Sequence, residues 1–203
     1  MPAAKKLDLY KEHKAEYVTP KKPVLVDVKP AKYLTTTGKG APEGTEFQKC
    51  VGALYGAAFT IKFTKKFAGQ DYRVCNLEGQ WWGEQETGDF TNLPRESWNW
   101  RLLIRVPDFI KAADLKAATK QLKAKGKGDE VSNVKLETIK EGKCVQMLHV
   151  GPYGEEGKTI CHMMEHAGAQ GLTLTGLHHE IYLSDPRRVP AARLRTILRH
   201  PVH

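Results

Sequence analysis

One carboxylate stands out among the side chains of this chain that could do chemistry. In LHHEIYLSDPRR, residues 177–188, Glu180 sits between two histidines and the apolar run Ile181, Tyr182, Leu183. Strand alternation puts Leu177, His179, Ile181 and Leu183 on one face and His178, Glu180, Tyr182 and Ser184 on the other. The apolar face is expected under helices, so the Glu180 face should look into a cleft. A carboxylate there is costly to bury unless it is paired or functional. It would face a cation or act as a general base; the plain alternative is an exposed glutamate on an open sheet face.

Other candidates are weaker. HMMEH, residues 162–166, matches the inverted zinc-protease pattern H-x-x-E-H, and His162 and His166 share one helix face. A third ligand is missing, and a five-residue pattern matches by chance often, so no metal site is expected. His178 and His179 point to opposite faces of their strand and cannot chelate one ion together. No GxSxG, GxGxxG or P-loop is present, and Ser97, Ser132 and Ser184 lack any nucleophile context. Cys50, Cys75, Cys144 and Cys161 show no CxxC spacing, which argues against a disulfide framework or a cysteine zinc site and fits reduced thiols in a cytosol. Cys144 and Cys161 read as inert thiols rather than nucleophiles. Aromatic side chains are more suggestive. Trp81, Trp82, Trp98 and Trp100 lie close in sequence, and Tyr55, Tyr153 and Tyr182 fall on elements expected near the cleft. Core packing explains any one of them; together they suggest a wall for planar ligands.

The elements that must position these residues follow from periodicity and punctuation. The chain has 203 residues, 40% hydrophobic and 27% charged, enough for one sizeable core or two small fused modules. No apolar stretch is long enough for a membrane span, and MPAAKKLDLYKEHK is too polar for a secretory signal, so a cytoplasmic location is expected. The net charge of +9 comes from dispersed lysines and reads as solvated surface rather than a nucleic-acid footprint. Residues 1–22 are basic and polar, a loosely held arm. Residues 23–203 form the folded domain. Pro30 breaks a Val/Thr-rich stretch into strands; Phe47, Val51, Leu54, Ala58 and Ile61 mark a helix between Thr45 and Gly69. Residues 71–84 read as a strand followed by the loop QETGDFTNLPRES, then the strand WNWRLLIRVPDF, then a helix over about 108–125. Two strands meet around Glu141-Gly142, a helix spans 154–168, TGLHHEIYLSD is a strand, and RLRTILRHPV is a last strand or a helix. Strand-helix-strand-strand thus occurs twice, at about 31–105 and 143–200. The expectation is an α+β fold of two such modules, with antiparallel sheets, helices on one face and a central ligand cleft.

HVGPYGEEGKTI, LTGLHHEIYLSDPRRVPAARLRTILRHPV and the duplicated modules resemble the gyrase-inhibitor-like (GyrI-like) small-molecule-binding family, over about residues 22–203 and more weakly in the first half. The C-terminal segment is similar to a stand-alone subgroup associated with cyclopropanoid hydrolysis. The resemblance implies a pocket with aromatic walls and a buried glutamate, which maps onto Glu180. It implies planar aromatic or cationic small molecules as partners and no cofactor. It also implies a hydrolase that opens the strained cyclopropane of planar DNA-alkylating compounds with water. Glu180 would be the base, and Tyr153 or Tyr182 would donate to the carbonyl oxygen. Trp82, Trp98, Trp100, Tyr55, His149 and His178 would bind the ligand. A non-catalytic drug-sequestering or gyrase-binding protein is the alternative, and tetrapyrrole binding a weaker one. Related sensor domains are fused to DNA-binding domains; none is recognisable here, so direct nucleic-acid binding is not expected.

Overall fold

The computed structural model describes residues 6–84 and 92–203. Helix α1 (Leu9–Glu12) belongs to the N-terminal arm, and β1 (Val24–Val28) follows it. The first module is β2 (Ala31–Lys39), α2 (Thr45–Phe67), β3 (Glu78–Trp82) and β4 (Asn99–Arg105). Helix α3 (Ala112–Ala124) and β5 (Lys135–Ile139) connect it to the second: β6 (Gly142–Val150), α4 (Gly157–Gly168), β7 (His178–Tyr182) and β8 (Arg195–Pro201). The α+β class and the repeated strand-helix-strand-strand order are both present. The modules do not keep separate sheets. Antiparallel pairing of β3 with β7 fuses them into one eight-stranded sheet, in the order β1-β6-β8-β7-β3-β4-β2-β5.

That order requires the sheet to curl. β1 pairs with β6 and β5 with β2, at opposite edges, yet only residues 29–30 join β1 to β2 and only residues 140–141 join β5 to β6. Two residues cannot span a flat sheet of this width, so the edges must approach each other in a half-barrel. Gly142 allows the tight entry to β6 with φ 71°.

The two helices cover the outer face. Leu34, Leu102, Ile104 and Trp100 pack under Leu54, Ala57 and Ile61 of α2. Val145 and Leu198 pack under Met163 and Ala167 of α4. The inner face is plugged by the arm. Residues 6–22 are not loosely held: Leu9 and Glu16 are buried, Arg73 N–H donates to Leu7 at 2.7 Å, and Leu148 N–H donates to Pro20 at 2.9 Å. The polar composition of the arm hides this docking because its anchors are few and its partners distant in sequence.

Several boundaries shift for local reasons. Helix α3 begins at Ala112 rather than about 108, because residues 107–110 close a turn (Ile110 N–H to Pro107 O, 3.0 Å) and the Asp114 carboxylate caps Lys111 N–H at 2.9 Å. A 3₁₀ turn, Tyr153–Glu155, precedes α4. Residues 195–201 are a strand because β8 is paired on both sides, with β6 and β7, and pairing overrides helical periodicity. Residues 85–91 of the expected loop lie outside the described residues.

Candidate functional site

The site forms on the β3–β7 seam, where Gly79 lies directly opposite Glu180 and Trp81 opposite His178. On the outer face this register places Trp81, His178, Glu180 and Tyr182 together. Gly79 makes the grouping possible. A Cβ there would meet Tyr182 Oη at 2.8 Å and Trp81 Nε1 at 2.9 Å, closer than side chains tolerate. With no Cβ in the way, the Trp81 indole N–H donates to Tyr182 Oη at 3.1 Å across the glycine. His178 Nε2 lies 3.5 Å from Glu180 Oε1, and both residues are buried.

Glu180 therefore faces the same side as the helices, between α2 and α4, contrary to the expectation that the Ile181 face would lie under them. Strand alternation groups the residues correctly but does not say which group meets the helices. Here both faces are covered, Ile181 and His179 being 0% exposed on the inner one.

A second carboxyl, not anticipated from the sequence, completes the site. Glu156, at the N-terminus of α4, is buried, and its ligand atoms lie with those of His178 and Glu180 within 4.8 Å of one another. Burial, and then the nearby Glu180 carboxylate, push the Glu156 carboxyl well above the usual carboxylate range. One Glu156 oxygen, Oε1, is buried without a hydrogen-bond partner. The glutamate pair of GPYGEEGKTI at a helix start was the available signal, but nothing local links it to residues 178–180.

Two phenols border the carboxyls. The Tyr153 and Tyr182 rings meet edge to face at 5.7 Å. Burial, then Glu180, raise Tyr153 to about 12 and Tyr182 well above its ordinary value, so both hold their protons at neutral pH. Tyr153 is the more accessible of the pair at 37% exposed, whereas Glu180 is only 8% exposed. The expected open cleft is thus closed over in this structure.

The remaining expected site residues divide. Trp98 packs edge to face on Trp81 at 5.9 Å, at the margin of the site. Trp100 is 0% exposed, seated over Gly38 and against Phe47, so it is core rather than wall. Alternation puts Trp82 on the inner face, opposite to Glu180. Tyr55 is half-buried on α2, its hydroxyl accepting from Leu77 N–H at 3.1 Å. His149 is a structural tie: Nδ1 lies 2.9 Å from Thr159 Oγ1 and Nε2 3.1 Å from the Pro152 carbonyl, joining β6 to α4. His162 of the HMMEH stretch is exposed on α4, and His166 Nε2 sits 2.8 Å from the Gln170 amide; no third ligand converges on them among the described residues.

The opposite face of the same strands holds a charge-balanced network. Glu141 Oε1 lies 2.7 Å from His179 Nδ1 and Oε2 accepts from Arg199 at 3.2 Å. His179 Nε2 is 3.0 Å from Glu78 Oε2, a close ionic contact without hydrogen-bond alignment. Arg105 pairs with Glu16 at 2.6 Å and donates to Tyr17 Oη at 3.1 Å; Arg199 also donates to the Glu16 carbonyl. Three carboxylates thus face three cations. His179, held between Glu141 and Glu78, is structural.

Residues 21–203 match the GyrI-like small molecule binding domain family. The chain is similar to an uncharacterised conserved protein from Listeria innocua: 40% identity, 98% of this chain and 100% of that one covered, TM-score 0.90. It is also similar to a hydrolase from Listeria innocua at 38% identity, with the same coverage and a TM-score of 0.87. The C-terminal domain of EcmrR, 12% identical over 90% of this chain and 97% of that one, with a TM-score of 0.59, shares the fold. No curated protein matches. No helix among the described residues is long and apolar enough to cross a membrane.

Proposed function

The chain belongs to the GyrI-like small-molecule-binding domain family, and from that premise we propose that it is a hydrolase adding water to strained, planar electrophiles at Glu180. The observation that carries this reading is a nearly buried carboxylate flanked by a second carboxyl and by two protonated phenols, Tyr153 and Tyr182, beside Trp81. The similarity to Listeria hydrolases supports the reaction class.

For a cyclopropane conjugated to a dienone, Glu180 takes a proton from water as the water oxygen bonds to the ring methylene. The ring C–C bond breaks, its electron pair flows through the dienone to the carbonyl oxygen, and Tyr153 or Tyr182 supplies the proton there. Proton return from Glu180 to the tyrosine closes the cycle. General acid–base assistance of this kind contributes roughly 10²- to 10⁴-fold. Trp81 joins Trp98, in place of Trp82 and Trp100, as the aromatic surfaces for the planar ligand. Tyr153, the accessible ring, must move aside for entry.

The test is incubation of the protein with a duocarmycin-like cyclopropane-dienone and measurement of product mass. A product heavier by one water, formed at a rate that falls at least about 100-fold in Glu180→Gln, is expected. Consumption no faster than in buffer would refute hydrolysis. If the compound binds without turnover and Glu180→Gln weakens that binding, the protein is a sequestering module of the same family.

A further inference from the structure

Glu156, His178 and Glu180 are arranged as metal ligands. They are, among the described residues, the one group of three or more such side chains whose ligand atoms come within 4.8 Å of one another. His178 and Glu180 are alternate residues of β7, so strand geometry puts both on one face. Their facing atoms are 3.5 Å apart, the separation of two ligands on one ion with bonds of about 2.0–2.2 Å. Glu156 reaches them from the start of α4.

Charge makes the same case. On the inner face each buried carboxylate has a cation against it: Arg105 for Glu16, His179 for Glu78, and His179 with Arg199 for Glu141. On the outer face, two buried carboxyls, Glu156 and Glu180, stand together with a single imidazole. Glu156 Oε1, on a side chain more than nine-tenths buried, has no hydrogen-bond partner. Buried carboxylates are normally paired or coordinate metals; here two of them share the one His178 imidazole, 3.5 Å from Glu180 Oε1.

We propose that Glu156, His178 and Glu180 form a binding site for a divalent transition-metal ion. Two carboxylate oxygens and one imidazole nitrogen suit Zn²⁺ or Mn²⁺ over a softer, thiolate-seeking ion. Three protein ligands leave positions for water. The Glu180 base of the hydrolase reading is the metal-free carboxylate, and with an ion bound the same carboxylate is a ligand; the inference goes beyond that reading, and the two states exclude each other.

The test is titration calorimetry with ZnCl₂ and MnCl₂ on the full chain, stripped with EDTA. It is run in a His162→Ala/His166→Ala background that removes the helical histidine pair of α4. One equivalent of at least one of these ions is expected to bind, and Glu156→Gln and His178→Gln should each weaken it by at least about tenfold. Circular dichroism on both variants checks that they fold; a misfolded variant is replaced by Glu180→Gln, for which the same weakening is expected. Absence of binding by both ions, or binding indifferent to these substitutions, would overturn the site. Calorimetry reads binding without turnover, so failure here leaves the hydrolase assay standing, and the reverse.

Discussion

Gly79→Ala tests the seam on which the site rests. The new Cβ would sit 2.8 Å from Tyr182 Oη and 2.9 Å from Trp81 Nε1, against an ordinary contact of 3.4–4 Å. Both rings must therefore retreat by about half an ångström or more, and the Trp81–Tyr182 hydrogen bond of 3.1 Å cannot survive in place. Overpacking costs about 1–3 kcal/mol and the lost hydrogen bond about 1 kcal/mol. The lower backbone entropy of unfolded alanine returns about 0.5–1 kcal/mol. The net is a loss of about 1–3 kcal/mol, or roughly 3–10 °C in Tm for a chain of this length. Because a displacement of about 1 Å at a site can cost about 10²-fold in rate, hydrolysis should fall more than stability alone explains. Thermal denaturation, tryptophan fluorescence and turnover of the cyclopropane-dienone read the three consequences. Gly52→Ala is the control: nothing lies within 4 Å of its Cβ, and it sits inside α2, so the change should stabilise by up to about 1 kcal/mol. A Gly79→Ala protein as stable as wild type, with unchanged fluorescence and turnover, would refute the geometry of the seam.

Three further outcomes follow, two from the inner face and one from the outer. Glu16→Ala leaves Arg105 buried without its carboxylate and should cost about 3–5 kcal/mol in urea denaturation. His179 is raised to about 9 chiefly by Glu141 against its burial, so its contribution is complete below about 6.5 and fades as pH rises through about 9. Glu141 is held down at about 2 by His179 and Arg199 against its burial, so its contribution is complete above about 4.5 and fades as pH falls toward 2. Unfolding midpoints across pH should thus be highest between about 4.5 and 6.5, and in Glu141→Gln both limbs should flatten. Gly38→Ala would drive a Cβ to 2.3 Å from the Trp100 ring and should destabilise by more than about 3 kcal/mol, read by loss of soluble folded protein.

Local signals carry the architecture. The period-3.6 pattern of Phe47, Leu54, Ala58 and Ile61, the break at Pro30 and the alternation in residues 98–105 are each written within fifteen residues. They were enough for the α+β class and the repeated module. Strand alternation singled out Glu180, and the family-like segments implied a pocket around it. The helix start at residue 112, the docking of the arm through Glu16 and Tyr17, and the roles of the tryptophans were not legible. Each depends on what a side chain meets far along the chain, and Trp81, Trp82, Trp98 and Trp100 are indistinguishable by type.

The sequence by itself determined which residues share a strand face, because the alternation of a strand is a property of the backbone. It therefore placed Glu180 with His178 and Tyr182, and apart from His179 and Ile181. Only the tertiary structure decided which face lies beside the helices, since both are buried, one under α2 and α4 and the other under the arm. Only it brought Glu156 beside Glu180, because their approach depends on where the start of α4 comes down on the paired strands. A carboxylate acquires its chemistry from such neighbours: on one face Glu141 and Glu78 flank His179 and hold it charged, while on the other Glu180 meets His178 and a second carboxyl, Glu156.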